Sequence, residues 1–174
     1  MGESGCNRRQ LGRGDVHTPQ QRSHNMSRIR GRNTKPELLV RKALFARGFR
    51  YRLHHPGLPG HPDLVFPRYR AVVLVHGCFW HGHGCHLFRW PESNREFWRG
   101  KIGGNIARDA HTHKELLALG WRVLTVWECA LKGARRLPAD EVAIRCEHWL
   151  RSGLQQAEIV GSAIGGGEAT ICIV

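Results

Sequence analysis

Residues 71–85, with the sequence AVVLVHGCFWHGHGC, decide how the rest of the chain is interpreted. The first five residues form a continuous apolar run rich in β-branched side chains, which predicts a strand buried on both faces. The residues that follow bring cysteine, histidine, phenylalanine and tryptophan together in one short loop. A metal site, a catalytic site and an aromatic surface for insertion into a partner are therefore all expected in this loop.

The chain is strongly basic. It has 174 residues, with 27 lysines and arginines against 14 aspartates and glutamates, and a formal charge of +13. In a chain of single-domain length this favours a polyanionic partner, with nucleic acid first, although basic tails alone also raise the charge. No apolar run is long enough for a membrane helix, and residues 1–14 lack the apolar core of a secretory signal. We therefore expect a cytoplasmic, nucleoid-associated protein whose six cysteines are metal ligands or isolated thiols.

Three regions differ in composition. Residues 1–32 predict a flexible basic N-terminal arm, residues 33–151 the folded domain, and residues 152–174 a disordered Gly-rich tail. The expected elements of the domain, in order, are a helix from a Thr34–Glu37 capping box to Gly48, strands at 49–53, 63–66 and 71–75, a helix at 101–119, a last core strand at 121–127 and a helix at 139–150. This order predicts an α/β fold in which a mixed sheet is flanked by helices.

The loop carries a candidate zinc site. Cys78, His83 and Cys85 have the spacing C-x4-H-x-C, and Cys129 follows a strand that we expect beside the strand leading to Cys78. Three thiolates and one imidazole suit a closed, tetrahedral and therefore structural Zn2+ site. The alternatives are that His81 or His86 replaces His83, or that the cysteines are only buried thiols.

Asp63 is the candidate ligand of a catalytic cation. It begins a predicted strand whose neighbour ends at His76, so Asp63, Val75, His76 and His81 are expected close together. A carboxylate there suits Mg2+, and either histidine is able to move a proton near neutral pH. The competing interpretation is that Asp63 only caps a turn, and for Glu37 that it only caps its helix.

The aromatic residues Phe79, Trp80 and Trp98 suit contact with nucleic acid. In a basic chain, exposed aromatic rings stack on bases or wedge between base steps. Ordinary core packing is the alternative for each of them.

Several strings together carry a family resemblance: Asn33-Thr34 through Glu37, LPGHPD at 58–63, HGCFWH at 76–81, EFW at 96–98, KIG at 101–103 with Asn105, and GWRVL at 120–124 through WECAL at 127–131. They resemble the very short patch repair endonucleases of bacteria, over about residues 15–150. The resemblance implies a restriction-endonuclease-like fold for the endonuclease domain. It also implies a nick on the 5′ side of the thymine in T:G mismatches that arise from 5-methylcytosine deamination.

The resemblance further implies roles for individual residues. Asp63 and the backbone carbonyl of Val75 are expected to bind Mg2+, with His81 as the base and His76 and Glu37 supporting it. The implied zinc ligands are Cys78, His83, Cys85 and Cys129. The implied DNA contacts are Phe79, Trp80 and Trp98 from one side of the mismatch, Met26 from the other, and Lys101 and Asn105 near the mismatched pair.

The expected partner is double-stranded DNA with a T:G mismatch, bound by a monomer, with mismatch-repair proteins as further candidate partners and no membrane. Two alternatives stay open at this point. One is a restriction-type nuclease of the same fold, and the other is a zinc-stabilised DNA-binding module without catalysis.

Overall fold

The computed structural model describes residues 18, 20, 21, 24 and 31–162, and the following description is restricted to them. Five strands form one sheet in the order β1-β2-β3-β4-β5. They are β1 (Arg52–Leu53), β2 (Leu64–Phe66), β3 (Ala71–His76), β4 (Arg122–Trp127) and β5 (Gln156–Ile159). The first three strands pair antiparallel, whereas β3–β4 and β4–β5 are parallel. The prediction of an α/β fold with a mixed sheet is confirmed.

Helices cover both faces of this sheet. They are α1 (Lys35–Ala46), α2 (Arg95–Ala118), α3 (Glu128–Leu131) and α4 (Ala139–Arg151). Because successive strand residues point to opposite faces, Val73 packs with Leu44 of α1 and Trp149 of α4, and Val72 packs with Leu116 of α2. The apolar strand β3 is therefore buried from both sides, as its sequence predicts. None of the described helices is long and apolar enough to cross a membrane.

The start of α1 follows the predicted capping box. The Glu37 amide donates to Thr34 Oγ1 at 3.4 Å, and the Thr34 amide donates to Glu37 Oε2 at 3.3 Å. The two bonds satisfy amides that the first helical turn leaves without partners. Only 2% of Glu37 is exposed, so this helix end also places a carboxylate inside the protein.

Two element boundaries differ from the sequence expectation. The long helix α2 begins at Arg95 rather than Lys101. It continues through Gly103 and Gly104, where an added Cβ would meet no atom within 4 Å, so neither glycine marks a break or a close approach. The strand expected at 49–53 contracts to β1, because only Arg52 and Leu53 find partners on β2.

The prediction of a disordered tail from residue 152 is wrong for residues 156–159. These residues form β5, which pairs in parallel with β4, so β4 is not the last strand. Ala157 and Ile159 are buried on the side of the sheet that packs against α4. A strand of four residues beside glycines carries too short a pattern to be recognised in the sequence.

Arg122 ties the end of α4 to the sheet. Its guanidinium donates to five backbone carbonyl oxygens, those of Tyr69, Trp149, Leu150, Ser152 and Leu154, at 2.7–3.4 Å. The group also lies 4.9 Å from the ring of Trp149. An arginine is suited to this position because its five N–H groups reach several carbonyls that the helix end leaves free.

Candidate metal and catalytic centre

The zinc candidates meet because β3 and β4 are parallel and in register. His76 is paired with Trp127, so both strands end at the same edge of the sheet. Cys78 and Cys129 each follow two residues after these paired positions and lie side by side. Both are buried, Cys78 in the loop after β3 and Cys129 within the short helix α3 that directly follows β4.

Cys78, His83, Cys85 and Cys129 form one compact set. One donor atom from each lies within 4.8 Å of the others. His83 Nδ1 is 3.5 Å from Cys78 Sγ and 3.6 Å from Cys129 Sγ. Tetrahedral zinc with typical Zn–S and Zn–N bonds separates such atoms by about 3.6 Å, so the set fits zinc. His81 and His86, the rival ligands, are not part of this set.

The surroundings of the sulfurs also suit a bound cation. Backbone amides of Leu87, Cys129 and Gly161 donate to Cys85, Cys78 and Cys129 respectively, at 3.3–3.4 Å. The hydrogen bond between Cys78 and Cys129 lowers the pKa of Cys129 and raises the pKa of Cys78. A thiol with a lowered pKa favours the thiolate, which is the form that binds a cation.

Asp63 lies next to the end of β3, as predicted. Its Oδ2 accepts a hydrogen bond from the Val75 amide at 2.7 Å, and its Oδ1 faces the ring of His54. Burial raises the pKa of Asp63 to about 6, and the nearby Glu37 adds to this, while the Val75 bond opposes it. A buried carboxyl whose pKa is raised beside a second carboxylate is the electrostatic signature of a site that gains a cation.

His76 and His81 stack on each other. Their ring centres are 3.9 Å apart and their planes differ by 6°. Burial, followed by the charge of His81, lowers the pKa of His76 to about 3, so His76 is neutral at physiological pH. The neutral ring of His76 covers one face of the His81 ring. It keeps water from that face without adding a positive charge there.

Asp109 on α2 completes this pair, and the sequence interpretation missed it. Its Oδ2 lies 2.6 Å from His81 Nδ1, and both side chains are about one quarter exposed (25% and 27%). A carboxylate on one ring nitrogen orients the ring and leaves the other nitrogen to exchange a proton. No local motif marks Asp109, because its approach to His81 depends on how α2 packs on the sheet.

A cavity of about 400 Å3 opens beside these residues. His76, His81 and Asp109 line one part of it, and His113, Thr125 and Glu158 are among the residues lining the rest. Trp127 lies between the candidate zinc set and the stacked histidines, stacked on His83 at 4.2 Å and edge-on to His76 at 5.4 Å. The candidate zinc set and the stacked histidines therefore share a rigid wall.

The three predicted aromatic contacts form one half-exposed cluster. Phe79 lies 5.1 Å from Trp80 and 5.3 Å from Trp98, ring centre to ring centre. Phe97 continues the cluster and is 62% exposed. Such a group of rings at the surface is more than core packing requires.

Asn105 and Lys101 lie on α2 close to this cluster. Asn105 Nδ2 donates to the Trp80 carbonyl at 2.7 Å, and Asn105 Oδ1 accepts from Arg108. The Lys101 side chain is exposed. Met26, Cys6 and Cys172 lie outside the described residues.

Comparison with known proteins identifies the family. The family model described as "DNA mismatch endonuclease Vsr" matches residues 14–87. The chain is 45% identical over 136 residues to the DNA mismatch endonuclease Vsr of Escherichia coli (strain K12), which covers 78% of this chain and 87% of that protein. The chain belongs to the Vsr DNA mismatch endonuclease family. The resemblance seen in the sequence is thereby confirmed.

Other relatives of the chain are nicking enzymes by name. The type II nicking enzyme V.XorIIP of Xanthomonas oryzae pv. oryzae is 48% identical over 125 residues, covering 72% of this chain and 92% of that protein. The type II nicking enzyme V.NmeAIP of Neisseria meningitidis serogroup A is 48% identical over 118 residues, covering 68% and 84%. The part matched by the Vsr family model contains Glu37, Asp63 and the whole of residues 71–85.

Proposed function

We propose that this protein is a DNA mismatch endonuclease that nicks one strand on the 5′ side of the thymine in T:G mismatches produced by deamination of 5-methylcytosine. The observation that carries the proposal is the convergence of Asp63, the His76–His81 stack and the Cys3His set at one sheet edge. Family membership supports endonuclease activity. The order of strands and flanking helices agrees with a restriction-endonuclease-like fold, which is part of the proposal.

In this proposal, Asp63 and the backbone carbonyl of Val75 hold Mg2+. The free Oδ1 of Asp63 and its raised pKa fit a hard cation that takes oxygen ligands. Bound there, Mg2+ would neutralise charge that develops on the scissile phosphate. The Val75 amide fixes the carboxylate, so its orientation is set before DNA arrives.

The proton transfer is assigned to His81. Asp109 orients the His81 ring through Nδ1 and stabilises its protonated form, while the other ring nitrogen takes a proton from the attacking water. His76 holds the His81 ring plane by stacking, and Glu37 supports the site from the buried end of α1, where its negative charge beside Asp63 favours a bound cation. Water-derived hydroxide then attacks phosphorus, the P–O bond to the neighbouring sugar breaks, and a proton neutralises the departing oxygen.

The Cys3His set is proposed to bind zinc in a structural role. Four protein donors leave no position for water, so the ion would not take part in hydrolysis. It would hold rigid the loop that carries both His81 and the aromatic cluster. The catalytic histidine and the DNA-facing rings would then move as one unit.

DNA recognition is proposed for the aromatic cluster. Phe79, Trp80 and Trp98 would enter the duplex beside the mismatch, with Lys101 contacting DNA nearby. Asn105 would contribute by fixing the Trp80 backbone. Met26, on the proposed basic arm of residues 1–32, would enter from the opposite side. A monomeric state and recruitment by mismatch-repair proteins stay predictions.

Substituting Asp63→Asn separates this function from a non-catalytic DNA-binding module. The exchange removes the charge and keeps the shape, so duplex binding should persist while nicking of a T:G duplex falls by at least about a thousandfold. Binding is measured by fluorescence anisotropy and nicking on denaturing gels. Unchanged nicking by the variant would contradict the assignment, and absence of Mg2+-dependent nicking by the unmodified protein would favour the binding module.

A further inference from the structure

His54 lies between the two buried carboxylates of the candidate site. It follows β1 directly, and 15% of its side chain is exposed. Its Nε2 is 3.3 Å from Glu37 Oε1, and its Nδ1 is 3.9 Å from Asp63 Oδ1. Glu37, His54 and Asp63 together offer three donor atoms within 4.8 Å of one another.

The Nε2 atom of His54 is buried and finds no hydrogen-bond partner within the described part of the chain. It approaches Glu37 Oε1 closely, yet without the direction that a hydrogen bond needs. A buried polar atom left without a partner costs about 1–3 kcal/mol. A cation between these groups would remove that cost, because a ring nitrogen and two carboxylate oxygens are all metal ligands.

We propose that His54 is a protein ligand, through Nε2, of the divalent cation held at Asp63, with Glu37 as the third ligand. The inference rests on the proposed function only in taking Asp63 as a cation ligand. Neighbouring ligands of an octahedral ion with bonds of about 2.1 Å are about 3 Å apart, close to the 3.3 Å between Nε2 and Oε1. Asp63 has Oδ1 free for this role, because Oδ2 accepts the Val75 bond.

Arg41 is the group that opposes this arrangement. Its guanidinium lies 3.0 Å from the same Glu37 oxygen. A carboxylate oxygen has two acceptor directions, so Arg41 occupies one and leaves the other for a cation. Since an imidazole that binds a metal ion adds no charge, the two carboxylates and Arg41 carry one net negative charge. A divalent cation and one DNA phosphate bring the total to zero, so cation binding is strengthened by DNA.

A nitrogen ligand changes which cation the site prefers. Mg2+ takes oxygen ligands almost alone, whereas Mn2+ and later transition metals accept imidazole readily. The site should therefore bind Mn2+ more tightly than Mg2+. His54→Gln should lower Mn2+ affinity by about tenfold and change Mg2+ affinity by less than about threefold.

The experiment measures the nitrogen ligand directly. Zinc-loaded full-length protein is mixed with Mn2+, alone and with a mismatched duplex that is already nicked, so that no turnover occurs. Pulsed electron paramagnetic resonance then detects nuclear modulation from a directly bound 14N, and the free Mn2+ signal gives affinity. The matched control is His111→Gln, because His111 lies on α2 with 70% of its side chain exposed. His54→Asn is measured beside His54→Gln, and zinc content and circular dichroism verify folding.

We expect 14N modulation in the unmodified protein and in His111→Gln, its loss in both His54 variants, and loss of bound Mn2+ in Asp63→Asn. Modulation that persists without His54, or that is absent although Mn2+ binding depends on Asp63, would overturn the inference and leave the Asp63 cation site standing. Mn2+ binding that ignores Asp63→Asn would overturn the proposed cation site itself.

Discussion

Asp109→Asn tests whether Asp109 activates His81. Asparagine keeps the shape and a hydrogen-bonding oxygen but removes the negative charge beside His81 Nδ1, across a contact of 2.6 Å. A hydrogen bond to a charged group contributes about 1.5–3 kcal/mol. Because about 1.36 kcal/mol corresponds to a tenfold change in rate, kcat should fall about 10- to 150-fold.

The loss is expected in kcat rather than in DNA binding, since Asp109 acts on His81 and not on DNA. Single-turnover nicking of a T:G duplex by saturating protein gives the rate of the chemical step, and fluorescence anisotropy gives Kd. Glu115→Gln is the control, because Glu115 is a carboxylate on the same helix that pairs only with the exposed His111 among the described groups. A folded Asp109→Asn variant that nicks at the unmodified rate would refute the role given to Asp109.

Three further perturbations have defined outcomes. Cys129→Ser should remove stoichiometric zinc and lower Tm by more than about 5 °C, because a structural zinc ligand is lost. Unchanged zinc content by atomic absorption together with an unchanged Tm would contradict the Cys3His site. Arg122→Leu should lower the free energy of unfolding in urea by about 2–4 kcal/mol, because four carbonyls at the α4 end and that of Tyr69 lose a charged donor. A change below about 0.5 kcal/mol would show that these bonds contribute little. Burial raises the pKa of Asp63 to about 6, so the folded protein binds this proton more tightly than the unfolded chain. Without Mg2+, the free energy of unfolding should therefore fall by about 2–3 kcal/mol as pH rises from about 4 to above 6. In Asp63→Asn this part of the pH dependence should disappear, and if it persists another group is responsible.

The zinc set shows how much of the site the sequence contains. The C-x4-H-x-C spacing lies within one loop, and Cys129 follows a strand whose apolar run predicts a place in the sheet. Parallel pairing of β3 and β4 is then enough to bring both strand ends together. Site residues that lie close together in the chain, or at the ends of strands with a clear apolar pattern, can be predicted from the sequence.

Asp109 and His54 show where that reasoning stops. Asp109 sits within a long helix, and its contact with His81 depends on the rotation of that helix against the sheet. His54 reaches Glu37 and Asp63 only because β1 pairs with β2 over two residues. β5 was not predicted for a related reason. Its pairing with β4 stabilises it, and its short sequence pattern does not reveal that pairing.

The most direct test of the proposed function is nicking of a panel of labelled duplexes. The panel contains T:G, matched C:G and the other mispairs in several sequence contexts, each with Mg2+ or with EDTA. We predict a single nick on the 5′ side of the thymine, in T:G duplexes only and only with Mg2+. Cleavage of both strands in matched DNA, or equal nicking of every mispair, would contradict it.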